Sequence, residues 1–163
     1  MVEMMSIPDI SVARDVLDMI PDPDIPVISI VELGIVRNVE VHESQLIVSI
    51  TPTYSGCPAM YFFKDEIPKK LHEAGFPDVK VNVVLSPAWT TDWLNDQTKE
   101  KLRAHGIAPP TGDAMEHLAS KKVKCPRCGS DHTALRSQFG STPCKALWFC
   151  DECSQPFEYF KCY

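Results

Sequence analysis

An α/β (α+β) fold is what this sequence predicts: a small mixed three-stranded sheet with helices packed on it, followed by a C-terminal zinc ribbon. Three observations carry that reading. Helical and strand periodicities follow one another as α-β-β-α-β-α up to about residue 107. Two C-x-x-C knuckles, Cys125 and Cys128 in CPRCG and Cys150 and Cys153 in CDEC, stand with twenty-one residues between them. That spacing supplies four thiolates able to close a tetrahedron around one zinc ion. Between the two regions, Ala108-Pro109-Pro110-Thr111-Gly112 continues neither helix nor strand. The expected domains are 1–107, a linker over 108–120, and a ribbon over 121–163.

Asp9 to Ile20 reads as an amphipathic helix, with Ile10, Ala13, Val16, Leu17 and Ile20 on one face and Asp9 as cap. Pro21, Pro23 and Pro26 stop it. Val36, Val39 and Val41 lead into a polar turn at His42–Gln45, and Leu46 to Ile50 alternates again, the pattern of a hairpin. Thr51 to Pro58 is a loop. A second helix opens near Pro58, a favourable first-turn residue, and stops at Gly75; Pro68 should kink or divide it. Asp78 to Leu85 is a strand and Ser86 to Thr90 a loop. Thr91 to His105 reads as a third helix, with Thr90 or Thr91 as cap and Gly106 as stop.

With 163 residues, 44% hydrophobic and 23% charged, the chain has the composition of a globular protein. No stretch approaches the roughly twenty apolar residues of a membrane span. The start, MVEMMSIPDI, lacks the basic and apolar regions of a secretory signal, so a cytoplasmic location is expected. Seven cysteines are an odd number for a disulfide framework, and a reducing compartment with zinc holding four of them explains them better. From Lys121 onward seven cations face four acids, +3, which leaves −9 for residues 1–120. A basic tail of that kind touches nucleic acid or docks on an acidic protein surface.

In this order of elements three loops of the first domain are expected to converge: 22–26, 51–58 and 86–90. Cys57 is the sharpest candidate within them. A cysteine just before a helix feels the positive end of the helix dipole, which favours thiolate and hence metal binding or nucleophilic attack. The bland alternative is a small buried hydrophobe. Cys144 and Cys162 read as packing or spare thiols. His117 and His132 could replace a zinc ligand, but four well-spaced thiolates make that unnecessary. Trp89 and Trp93 read as packing anchors.

The runs DPDIPVISIVELGIVRNVEV, TPTYSGCPA and SPAWTTDWL resemble the metal–sulfur cluster biosynthetic domain family. With the ribbon and the ends GSTPCKALWFC and PFEYFKCY, about Ile10 to Tyr163 resembles the D-subunit family of the bacterial multicomponent phenylacetyl-CoA epoxidases. The family motif carries over to Asp22, Pro23, Asp24, Gly34, Thr51, Thr53, Gly56, Cys57, Pro58, Pro87, Trp89 and Thr90. Two departures stand out: Ser86 occupies a position where the family commonly has an acid, and Asp24 one where glutamate is usual.

The resemblance implies an accessory or maturation protein of the epoxidase, not an enzyme. It would help iron or an iron–sulfur cluster into an oxygenase or reductase subunit in phenylacetate degradation. Cys57 would be the transient thiolate and Asp22 and Asp24 accessory oxygen ligands or partner-facing charges, with Thr53, Trp89 and Thr90 completing the candidate iron, cluster or partner site. The chain itself has no paired E-x-x-H motifs for a di-iron site, no G-x-G-x-x-G loop and no ferredoxin-type cysteine run. Expected partners are the other subunits, especially the reductase or the di-iron subunit; membrane and nucleic acid are not expected. The competing readings are a zinc-ribbon nucleic-acid binder and an enzyme using Cys57 as nucleophile.

Overall fold

The computed structural model of the protein describes residues 8–112 and 115–161, and the chain divides into two compact units, 1–89 and 90–163. The predicted role of Cys162 lies outside the described residues.

The first unit contains α1 (Ile10–Asp18), β1 (Val36–His42), β2 (Gln45–Ile50), α2 (Ala59–Glu73) and β3 (Val79–Val83). Asp9 caps α1 as expected, its Oδ1 accepting the Ser11 N–H at 2.8 Å, and Ala13 and Leu17 are wholly buried. The sheet is mixed, in the order β1-β2-β3: β1 runs antiparallel to β2, and β2 parallel to β3. Alternate residues of β2 (Leu46, Val48 and Ile50) are wholly buried, whereas Gln45, Ile47 and Ser49 are half-exposed. One face of the sheet therefore meets the core. Opposite it, α2 places Phe63, Ile67 and Leu71 at four-residue spacing, each wholly buried.

Two expectations are corrected. Pro68 does not divide α2, which runs through it; burial of the residues on either side outweighs the amide hydrogen bond that proline removes. The segment read as one third helix is two pieces. A single 3-10 turn covers Thr91–Trp93, and α3 spans only Asp96–Ala104. Leu94 takes an extended conformation between them, and the Asn95 side chain accepts the Thr98 N–H at 2.7 Å, starting a new helix where the sequence pattern had suggested continuity.

Both pieces fall in the second unit, with β4 (Ile107–Ala108), a 3-10 turn at Leu118–Ser120, β5 (Thr133–Ser137), β6 (Lys145–Cys150) and β7 (Gln155–Phe160). The sheet order is β4-β7-β6-β5. The last three strands form an antiparallel meander, while Ile107 and Ala108 pair parallel to Glu158 and Tyr159 of β7. Trp148, Tyr159, Phe157, Val123 and Ala108 pack with Cys125 and Cys150 in one core, so the knuckles are part of the hydrophobic centre of this unit. Trp148 and Tyr159 meet edge to face with centroids 6.2 Å apart.

Candidate functional site

The β2–α2–β3 segment is a crossover between parallel strands. It sets the loop after β2, the N-terminus of α2 and the loop after β3 at the carboxyl ends of the strands, where sites of open α/β sheets form. Backbone bonds bring a third segment to the same end. Val36, the start of β1, is paired with Ile50, the end of β2, which is paired with Val83. Thr51 N–H donates to the Ile35 carbonyl at 2.9 Å, and Val84 N–H to the Ile50 carbonyl at 2.8 Å. Ile30, through its carbonyl, in turn accepts the Ile35 and Val36 amides. The approach to β1 and the loops 51–58 and 84–89 thus share one end of the sheet.

Cys57 stands there, half-buried, one residue before Pro58, the N-cap of α2; no side chain caps that helix. Its carbonyl accepts the Met60 N–H at 3.2 Å, which fixes the residue as the lead-in to the first turn. Gly56, at φ +79°, has open space where a Cβ would point. Thr51 and Thr53 are buried, and the Thr51 hydroxyl, wholly buried, has no hydrogen-bond partner among the described residues. A buried, unsatisfied hydroxyl costs free energy.

Trp89, 4% exposed, donates its indole N–H to the Leu33 carbonyl at 2.8 Å, tying the loop after β3 to the approach to β1. Asp22 is buried, and its Oδ1 accepts the amides of Asp24 and Ile25 at 2.8 and 2.9 Å. That carboxylate organises its own loop, as an aspartate heading a turn does, while Asp24 is exposed. Thr90 belongs to the second unit, where its hydroxyl accepts the Asp92 N–H at 3.3 Å as the cap of the 3-10 turn. The Leu33 carbonyl is the group sequence reasoning could not name, since a backbone acceptor leaves no residue-type signal.

In the second unit the sulfurs of Cys125, Cys128, Cys150 and Cys153 all lie within 4.8 Å of one another. Cys125 and Cys153 are 3.7 Å apart, and Cys128 and Cys150 3.5 Å. A tetrahedron with metal–sulfur bonds of about 2.3 Å has edges of about 3.8 Å, so the donor set fits a tetrahedral thiolate centre. Each knuckle ends on a residue with positive φ just after its second cysteine, Gly129 at +76° and Ser154 at +54°. In the first, the Gly129 N–H donates to the Cys125 carbonyl, and the Cys125 N–H to the Ser130 carbonyl, both at 2.9 Å. Burial pushes the Cys125 thiol up, but backbone amides of Cys128 and Arg127 and its sulfur neighbours outweigh this and bring it to about 7. Cys153 is pushed up to about 12, by burial and then by Cys150, Cys125 and Cys128. Four sulfurs this close share protons until a cation takes their place.

Residues 11–89 match the family of iron–sulfur cluster assembly proteins, and residues 109–161 match the PaaD zinc beta ribbon domain. A protein of Escherichia coli K12, provisionally named as the D subunit of 1,2-phenylacetyl-CoA epoxidase, is 49% identical over 146 residues, covering 90% of this chain and 88% of that protein. The Fe–S protein maturation auxiliary factor SufT of Staphylococcus aureus USA300 is 37% identical over 83 residues, 50% of this chain and 93% of the factor. A domain of unknown function (DUF59) from Bacillus anthracis superposes with a TM-score of 0.51 at 27% identity, over 55% of this chain and 87% of that one. A conserved hypothetical protein from Thermotoga maritima shares the fold, with a TM-score of 0.50 at 20% identity over 61% of this chain and 98% of that one.

Proposed function

The chain belongs to the phenylacetyl-CoA epoxidase D-subunit family, and from that premise we propose that it is an accessory protein which assists insertion of iron or an iron–sulfur cluster into another subunit, rather than a catalyst. The client would be the reductase or the di-iron oxygenase subunit. The observation that carries this reading is the placement of Cys57, the sole cysteine of residues 1–89, on the loop that opens α2 at the carboxyl ends of two parallel strands.

One thiolate offers one bond, whereas clusters are held by four ligands. Iron or a cluster bound at Cys57 would complete its coordination with donors from elsewhere, so it is cargo in transit. The unsatisfied Thr51 hydroxyl and the α2 amides add polarity at the same sheet end. Asp22 holds its own loop in shape, and exposed Asp24 supplies a charge that a partner can meet.

The second unit holds one zinc through Cys125, Cys128, Cys150 and Cys153. Four thiolates leave no position for a substrate, so the ion's contribution is structural. The nucleic-acid reading loses support from the charges it rested on. Lys145 and Lys121 are buried against Glu158 and Glu116 at 3.1 and 3.5 Å, and Lys161 donates to the Gln138 carbonyl at 3.1 Å. Such cations are poor phosphate contacts.

The test is anaerobic reconstitution of the reductase and di-iron apoproteins with and without this chain. The expected result is faster or fuller iron loading and higher epoxidase turnover in its presence. Equal iron content and turnover in both arms would sink the reading.

A further inference from the structure

The second unit contains a cavity of about 350 Å³ that the metal centre does not use. Its wall is made by Ala108 and Pro109 on one side and by Val123, Cys125 and Pro126 of the first knuckle on the other. Ala108 and Val123, each only 1% exposed, lie beneath its floor, and the surface open to a ligand comes from Pro109, Pro126 and the stems of Arg103 and Lys124. The volume lies at the lower end of the roughly 300–1,000 Å³ of small-molecule sites, which are likewise apolar with a few placed polar groups.

The charged groups here share one sign. Arg103 of α3 and Lys124 are the charged residues of the lining, and no carboxylate lines it among the described residues. Arg127 approaches from the knuckle, a guanidinium nitrogen lying 3.9 Å from where a Cβ on Gly106 would stand. Glu100, on the neighbouring turn of α3, accepts two bonds from Arg103 and fixes that guanidinium in place. Lys124 is exposed. Long cationic side chains lay their methylene stems along apolar walls and keep their charges at the mouth.

An apolar groove with a cationic rim recognises an amphipathic anion. We propose that this cavity binds a small apolar carboxylate, with a ring or branched alkyl group of about phenyl size against Pro109 and Pro126 and its carboxylate at Lys124 and the Nη1 edge of Arg103, the edge not engaged by Glu100. A neutral isostere would forgo the charge-assisted bonds, and a short acid would forgo the apolar burial. Since Cys125 and Gly129 also line the cavity, an occupied site would brace the first knuckle. This inference stands apart from the cargo reading of Cys57, which concerns the other unit.

The test uses the full chain, metal-loaded and labelled for amide resonances, titrated with phenylacetate, 2-phenylethanol and acetate. Phenylacetate should give saturable shifts at Ala108, Val123 and Gly129 with a dissociation constant on the order of 1 mM, the strength expected of about ten heavy atoms. The phenylethanol affinity should be about tenfold weaker, and acetate should leave those resonances in place. Lys124→Ala and Arg103→Ala should each weaken phenylacetate binding several-fold with metal content unchanged. Phenylacetate should also slow metal release to a chelator. The proposal is overturned by phenylacetate shifts that do not saturate or that map elsewhere, by equal binding of phenylethanol, or by full affinity in both charge variants.

Discussion

Trp89 and Leu33, fifty-six residues apart, are joined by a buried 2.8 Å bond from the indole N–H to a backbone carbonyl. Trp89→Phe keeps most of the apolar body but leaves that acceptor without its donor. Loss of about 1–3 kcal/mol of stability is expected, the cost of an unsatisfied buried group. Urea unfolding of the variant should show an earlier midpoint with an unchanged slope; an unshifted midpoint would mean the bond is stabilising nothing.

Cys57→Ser should leave the fold and the metal content as they are, since Cys57 is half-buried in a loop outside the knuckles. Any acceleration of iron loading in the epoxidase reconstitution should disappear. In the folded, metal-loaded protein, iodoacetamide should modify Cys57 about tenfold faster than Cys144, which is 7% exposed. Mass spectrometry of tryptic peptides reads both rates, and a Cys144 that reacts first would refute the expectation.

Cys125→Ser removes a ligand that is also a core residue, 2% exposed. Metal analysis should fall from about one ion per chain towards zero. The amide resonances of β5, β6 and β7 should collapse, because so small a lobe lacks enough core to stand without its ion. Resonances of the first unit should persist, and their joint loss would show that the two units depend on each other for folding.

Ser154 occupies the place in the second knuckle that Gly129 occupies in the first, with φ at +54°. A Cβ in that conformation costs about 1 kcal/mol. Ser154→Gly should therefore raise the thermal midpoint of the metal-loaded protein by a few degrees. A lowered midpoint would mean that the serine side chain contributes more than its backbone strain costs.

Lys145, 3% exposed, faces the Glu158 carboxylate at 3.1 Å across β6 and β7. Burial raises the Glu158 carboxyl, but the Ser141 amide and Lys145 outweigh it and hold the group below the usual carboxylate range. A carboxyl with a depressed folded-state pKa stabilises fully above its unfolded value, and that contribution disappears as pH falls through the folded value. The window is therefore below about 4.5. Glu158→Gln should cost about 2 kcal/mol at pH 7, less than a fully buried pair because Glu158 is a quarter exposed. The gap between wild type and variant should close below the window. A gap that stays constant down to pH 3 would rule out the ion pair as its cause.

Much of the architecture is legible in the residues because the local signals agree. Asp9 before an apolar stripe, the hairpin alternation and the cysteine spacing each lead to the element found. The failures have physical causes. Pro68 is a strong breaker, yet it sits between the turns that bury Phe63 and Leu71, and packing overrides propensity there. Leu94 and Asn95 interrupt a helical stripe through a cap that competes with continuation. At the candidate site the side chains were readable as types, but Asp22 spends its Oδ1 on its own loop, which only backbone geometry reveals.

β4 has a consequence for inheritance. Ile107 and Ala108 complete the edge of a sheet whose other strands begin at Thr133, and the segment matched to the zinc-ribbon family starts just past them, at residue 109. A ribbon transplanted from the first knuckle onward would leave β7 with an unpaired edge, an invitation to associate edge to edge. The portable cassette in this lineage must carry its upstream pair along, so recombination between the two halves is expected to join before Ile107 rather than at the prolines that follow it.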